Sequence, residues 1–110
     1  PHTILFVNDI ETIDLCHLGS YLRHHPLWKP RGTNVTIAQQ TGFQQFKVRT
    51  YERGVEGETL ACGTGAAAAA LAAAYQYRLL SPITIQTVAG EDLKVGFLLQ
   101  EGLFSKVLLM

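Results

Sequence analysis

The sequence predicts a single α+β domain in which a curved, mixed and largely antiparallel sheet wraps around a central, buried, alanine-rich helix. Three observations carry this expectation. Residues 66–74 are apolar around the whole helical circumference, the pattern of a helix buried on all sides rather than along one stripe. Flanking this run lie short segments with the period-two alternation of strands, paired across turn residues. The length of 110 residues, 47% of them hydrophobic, suits one ordinary domain with a core of its own. Plain helix propensity with one packed face is the competing account of the helix, since alanine is the best helix former.

Taken in order, Thr3-Ile4-Leu5-Phe6-Val7 is a short apolar run closed by Asn8-Asp9, a buried strand and a turn. Leu15, Leu18 and Leu22 recur at helical spacing from Asp14 onward. His24-His25-Pro26 ends that helix, because the residue before a proline is pushed out of the α region. Pro30-Arg31-Gly32 reads as a loop. Asn34-Val35-Thr36-Ile37-Ala38 and Phe46-Lys47-Val48-Arg49-Thr50-Tyr51 alternate across Thr41-Gly42 and predict a hairpin. Residues 52–59 form a polar, glycine-bearing loop, and the alanine-rich helix then runs to about Leu80, where Ser81-Pro82 stops it. Ile83-Thr84-Ile85, Leu93-Lys94-Val95 and Lys106-Val107-Leu108-Leu109 are three further strands, with turns at Ala89-Gly90 and Glu101-Gly102.

Composition narrows the function. Lys+Arg and Asp+Glu both number 9, so the formal net charge is zero. No basic stripe is present to displace counterions, and nucleic acid is not an expected partner. The two cysteines, Cys16 and Cys62, show neither a CxxC nor a Cys/His metal spacing, and are expected as free thiols in a reducing, cytoplasmic setting. No secretory signal opens the chain. The apolar run 66–74 is far shorter than the ~20 residues that cross a bilayer, so a membrane is not expected either. The chain begins at Pro1 without an initiator Met, which suits an excised domain or a processed terminus.

Chemistry concentrates at Cys62-Gly63-Thr64-Gly65, at the start of the predicted helix. First-turn N–H groups lack internal partners and, with the helix dipole, favour negative charge. A thiol there ionises more readily than a free cysteine. Gly63 and Gly65 allow close approach to the backbone, and their amides with that of Thr64 form a cradle suited to a carboxylate. The alternative is an inert buried cysteine, the commoner state of free cysteines, although packing alone does not call for the two glycines. The same stretch matches a loose dinucleotide fingerprint. It lacks the strand directly before it and the acidic residue about 20 positions later that such a site needs.

Glu52-Arg53-Gly54 followed by Gly57-Glu58-Thr59-Leu60-Ala61-Cys62-Gly63-Thr64-Gly65-Ala66 resembles the C-terminal signature of the diaminopimelate epimerases. Pro1-His2, His24-His25-Pro26-Leu27 and Gly32-Thr33-Asn34-Val35 resemble further family segments in the same order, so the resemblance spans nearly the whole chain. One departure concerns Val55-Glu56, two residues where the family usually has one, which lengthens the loop between Glu52-Arg53 and Cys62.

The resemblance implies a family fold of the same description and interconversion of the LL and meso forms of diaminopimelate for lysine and peptidoglycan. It implies no pyridoxal phosphate or other cofactor, and no metal. Two opposed cysteines would act as base and acid, with Cys62 one of them. The other would come from an N-terminal domain of the same enzyme that this chain lacks, so the chain alone is expected to be inactive. A homodimer is the expected assembly of the parent. By resemblance Glu52 and His2 join Cys62 as catalytic residues, and Asn34, Glu52, Arg53, Gly63 and Thr64 bind substrate. Arginine suits a carboxylate because its fork grips both oxygens. Without the resemblance, Glu52 and Arg53 read as an exposed ion pair, Asn34 as a turn residue and His2 as a solvated terminus. His17, His24 and His25 are expected at the surface or at helix ends, and Cys16 in the core. A thiol hydrolase with Cys62 as nucleophile, another cofactor-free racemase or isomerase of the same fold, and a non-catalytic binding domain are the competing functions.

Overall fold

The computed structural model describes residues 2–29, 31–59, 63–100 and 102–109; Pro1, Pro30, Leu60, Ala61, Cys62, Glu101 and Met110 lie outside the described residues. Strand β1 (His2–Phe6) leads through a 3-10 turn (Ile10–Thr12) to helix α1 (Leu15–Arg23), and a second 3-10 turn (Pro26–Trp28) leads to β2 (Asn34–Gly42). Then come β3 (Gln45–Glu52), β4 (Gly57–Thr59), α2 (Gly63–Tyr77), β5 (Ile83–Gln86), β6 (Asp92–Gln100) and β7 (Leu103–Leu109). Asp14 caps α1, its carboxylate accepting from the His17 N–H at 3.2 Å, and the helix stops before Pro26 as proline sterics require.

One sheet runs β1-β2-β3-β5-β6-β7, with β4 attached to β3. The β1–β2 and β3–β5 pairs are parallel and the others antiparallel. Helix α2 packs against all six strands of that path, which only a curled sheet permits.

Strand alternation sorts the side chains onto two faces. Ala38, Phe46, Val48, Ile83, Ile85 and Val95 meet the α2 alanines, with Ile4 and Phe6 beside them. Val35, Ile37 and Tyr51 meet Ile10 and Leu15 on the α1 face. The paired Thr36 and Thr50, on the α2 face, satisfy each other's hydroxyls at 3.0 Å across the buried ladder. Gly19 of α1 lies against the ring of Tyr51, where an added Cβ would overlap the aromatic carbons.

Burial of α2 is graded around its circumference. Gly65, Ala66, Ala69, Ala70, Ala73 and Ala74 are fully buried, while Ala67, Ala68, Leu71 and Ala72 on the other side are half-buried. The alanines let the strands come close to the helix axis, and Ala70 and Ala73 have no exposed surface at all.

Several boundaries differ from the sequence-based expectation. The helix ends at Tyr77 rather than near Leu80: Arg78 takes a left-handed φ of 55° and the Leu79 N–H returns to the Ala74 carbonyl at 3.0 Å, a Schellman closure. The β2–β3 hairpin turns at Phe43-Gln44, and Thr41-Gly42 still belong to the strand, beside an irregularity between Gln40 and Gly42. The loop expected over residues 52–59 contains β4, too short and polar to show a periodic pattern. Strand β6 extends to Gln100 and β7 begins at Leu103, both longer than their most apolar stretches. Cys16 is exposed, not in the core, because the buried face of α1 runs through Leu15 and Gly19 with Leu18 and Leu22 half-buried, and Cys16 is one residue around the helix from it.

Candidate active site

Register brings three of the candidate residues into one row. His2 on β1 stands opposite Asn34 on β2. Val35 stands opposite Tyr51, so Asn34 and Glu52, one position further, adjoin each other. Alternation puts this row on the α2 face, in line with Ile4 and Phe6 on β1, Thr36 and Ala38 on β2, and Val48 and Thr50 on β3.

The direction of α2 settles which helix end meets the row. Tyr77 at its C-terminus packs its ring on Phe6 and Phe46, with centroids 5.2 and 5.7 Å apart. That contact lies at the end of β1 away from His2, so the first turn, with Gly63 and Thr64, lies toward the His2 end. The path from β4 agrees, since Thr59 pairs with Thr50 and four residues further on, within roughly 14 Å of chain, Gly63 opens the helix. Cys62, which immediately precedes Gly63 in the sequence, lies outside the described residues.

Asn34 and Arg53 are tied directly, the Asn34 Oδ1 accepting the Arg53 N–H at 2.7 Å. Asn34 is therefore the first residue of a strand whose side chain secures the neighbouring strand end, not a turn residue. Glu52 and Arg53 are both half-buried. His2 is half-buried as well, and its Nδ1 is enclosed with no hydrogen-bond partner among the described residues. Burial first, with the nearby Arg53 guanidinium, lowers the His2 pKa below its ordinary 6.5. Each of these disfavours the imidazolium, so the ring is held neutral near pH 7. The Thr59 hydroxyl is likewise enclosed without a partner among the described residues.

Ion pairs shape the loop that leads away from the row. Arg49 grips both Glu58 oxygens at 2.9 and 2.8 Å, while its Nη1 donates to the Ile10 and Ile13 carbonyls at 2.7 and 2.9 Å. This fork fastens β4 to β3, and the glutamate of the Gly57-Glu58-Thr59 motif is thus occupied structurally. Glu56 accepts from Arg23 Nε at 2.9 Å and from the Gly54 N–H at 3.0 Å. Sequence reading did not single out Glu56 or Arg23, which are 33 residues apart; the only trace was the extra residue in the Val55-Glu56 linker. His17 and His24 are exposed, and His25 caps the second 3-10 turn.

Among the described residues, then, a neutral imidazole, an amide, a carboxylate and a guanidinium gather at the end of the sheet toward which the first turn of α2 lies. The set can grip an anionic amino-acid head and manage a proton beside it. No group of three or more His, Cys, Asp or Glu side chains gathers as a metal site among the described residues. No described helix is long and apolar enough to cross a membrane.

Comparison with known proteins gives a consistent likeness. The family profile described as diaminopimelate epimerase matches residues 1–96. Diaminopimelate epimerase from Aquifex aeolicus is 44% identical over 99 residues, covering 88% of this chain and 35% of that protein. Its namesake from Flavobacterium psychrophilum is 37% identical over 109 residues, covering 99% of this chain and 43% of that protein. The chain therefore spans roughly a third to two fifths of the length of these relatives. Among solved structures, a predicted epimerase from Pseudomonas aeruginosa superposes with a TM-score of 0.68 at 13% identity, over 94% of this chain and 34% of that one. A phenazine biosynthesis protein of the PhzF family from Bacillus anthracis gives 0.57 at 18% identity, over 87% and 30%. These two likenesses concern the fold.

Proposed function

Because this chain belongs to the diaminopimelate epimerase family, we propose that it is the C-terminal half of an enzyme that interconverts LL- and meso-diaminopimelate without pyridoxal phosphate or metal. In this reading Cys62 supplies one of two thiols on opposite sides of the α-carbon. One thiolate removes the α-proton and the other thiol delivers a proton to the opposite face, which inverts the centre. An N-terminal domain carries the second thiol, and the present chain alone does not turn over substrate. A cytoplasmic homodimer is the proposed state of the whole enzyme.

The row His2–Asn34–Glu52 at the α2 end adjoining Cys62 in sequence carries the reading. The Arg53 guanidinium and the Gly63 and Thr64 amides take the substrate carboxylate, whose negative charge grows as the α-proton leaves. Glu52 receives the ammonium and orients the thiol. The Asn34 side chain, already fixed on the Arg53 backbone, presents its amide N–H₂ to substrate. His2, held neutral, assists the thiol of the opposite domain.

The test uses the full-length protein that contains this chain, incubated with LL-diaminopimelate in D₂O without added cofactor. The wild type is expected to form the meso isomer with solvent deuterium at the inverted carbon. Cys62→Ser is expected to lose at least roughly 10²- to 10⁴-fold in turnover, the usual worth of a positioned acid or base. Undiminished turnover by Cys62→Ser, or turnover of other amino acids in preference to diaminopimelate, contradicts the reading.

A further inference from the structure

We infer that Glu56 is a positioning residue, which together with Arg23 fixes the Glu52-Arg53 segment against the strand end that carries Asn34. The inference rests on the reading of Glu52 and Arg53 as substrate-binding residues and adds a part that the family signature does not contain.

The chain leaves β3 through a turn with two left-handed residues, of which only the second is costly. Gly54 has a φ of 90° and Glu56, not a glycine, a φ of 56°. A non-glycine residue in the left-handed region persists only where other contacts over-determine it. Glu56 has such contacts on both its backbone and its side chain. Its N–H donates to the Glu52 carbonyl at 2.9 Å, closing the turn. Its Oε2 takes the Gly54 N–H at 3.0 Å and the Arg23 Nε at 2.9 Å, and its Oε1 takes the Tyr51 hydroxyl at 3.4 Å. One residue thereby pins backbone groups on both sides of Arg53, its N–H holding the Glu52 carbonyl and its side chain the Gly54 N–H.

Arg23 carries the brace to the other half of the site. Its Nη1 donates to the Arg31 carbonyl at 3.4 Å, just ahead of Gly32, Thr33 and Asn34. Gly32, with a φ of 78°, leaves the space that this guanidinium occupies, and an added Cβ there would overlap it. One arginine thus touches the segments leading to Asn34 and away from Glu52-Arg53. The Asn34–Arg53 hydrogen bond joins the same two segments from the site side. The Gly54 N–H, followed by the ion pair with Arg23, also keeps the Glu56 carboxylate ionised below its ordinary range, so the brace is intact at neutral pH. The longer Val55-Glu56 linker, which would otherwise loosen the loop, supplies the residue that ties it down.

The test compares Glu56→Ala, Glu56→Gln and Arg23→Ala in the full-length protein, with steady-state kinetics and hydrogen–deuterium exchange of the peptide spanning residues 52–57. Glu56→Ala is expected to lower kcat/KM by roughly tenfold to a hundredfold, the scale of a small misplacement of binding groups, with KM raised. Exchange in 52–57 should quicken while the rest of the domain keeps its protection. Glu56→Gln retains an acceptor for the Gly54 N–H and should restore most of the loss, and Arg23→Ala should resemble Glu56→Ala. A Glu56→Ala enzyme within twofold of wild type, or a loss that Glu56→Gln does not relieve and that tracks a fall in Tm, overturns the proposal. If the wild type fails to turn over diaminopimelate, the functional reading falls separately. Exchange in residues 52–57 then still decides whether Glu56 holds the segment.

Discussion

His2 shows how one residue's meaning depends on its strand partner. In sequence it is a histidine beside the chain terminus and would ordinarily be solvated. Pairing with Asn34 encloses its Nδ1, and burial lowers its pKa below 6.5. The sign of the consequence follows by linkage. The unfolded chain binds a proton at the ordinary pKa and the folded chain resists it until lower pH, so the unfolded state binds more protons between the two values. Stability is therefore unaffected by His2 above the ordinary histidine range and declines as pH falls through it toward the lower folded value. Urea midpoints of wild type and His2→Gln, measured above and below that range, check this. The wild type should lose more stability than the variant on acidification. Equal losses would mean that the imidazole titrates normally in the folded protein.

At the scale of elements, sequence patterns foretold existence better than ends. Strong periodicity or composition placed β1, α1, β2, β3, α2 and β5 within a few residues of their observed bounds, because burial on a fixed face leaves a repeat in the sequence. The end of α2 escaped notice because its stop signal is Arg78, whose left-handed conformation (φ 55°) is set by the Leu79–Ala74 hydrogen bond rather than by residue type. The same fact yields a prediction. Glycine takes that conformation without the Cβ penalty, so Arg78→Gly should stabilise the domain by about 1 kcal/mol in chemical denaturation. A destabilisation would show that the arginine side chain itself holds the helix end. Strand β4 was missed for a different reason. It is three residues long, and its place depends on the Arg49–Glu58 fork, which joins residues nine positions apart.

For the molecule as a whole, the arrangement of an alanine-rich helix inside a curled sheet was readable from composition, since only a helix with small side chains lets six strands reach it. Which residues share the site was not readable from spacing. Positions 2, 34 and 52 are far apart in sequence and meet through a parallel pair beside an antiparallel one, a register that no local pattern specifies. The family resemblance named those residues, and the sheet gives a physical reason for their company. The Glu56–Arg23 brace lay beyond both routes, being tertiary and built on the residue pair in which this chain departs from the usual signature. Tyr75, Leu80, Leu99 and Leu108 stand exposed at the C-terminal end of α2 and on β6 and β7, and relatives about two and a half times this length carry further chain.

On the proposed function, Cys62 is an activated thiol in a site that the rest of the protein completes. The pH dependence of alkylation at Cys62, in the full-length protein with the exposed Cys16 as internal reference, tests it most directly. Cys62 is expected to reach its full alkylation rate at lower pH than Cys16, as suits a thiol immediately preceding a helix in sequence, and diaminopimelate is expected to protect Cys62 alone. Matching pH profiles for the two thiols, with no protection by diaminopimelate, would contradict it.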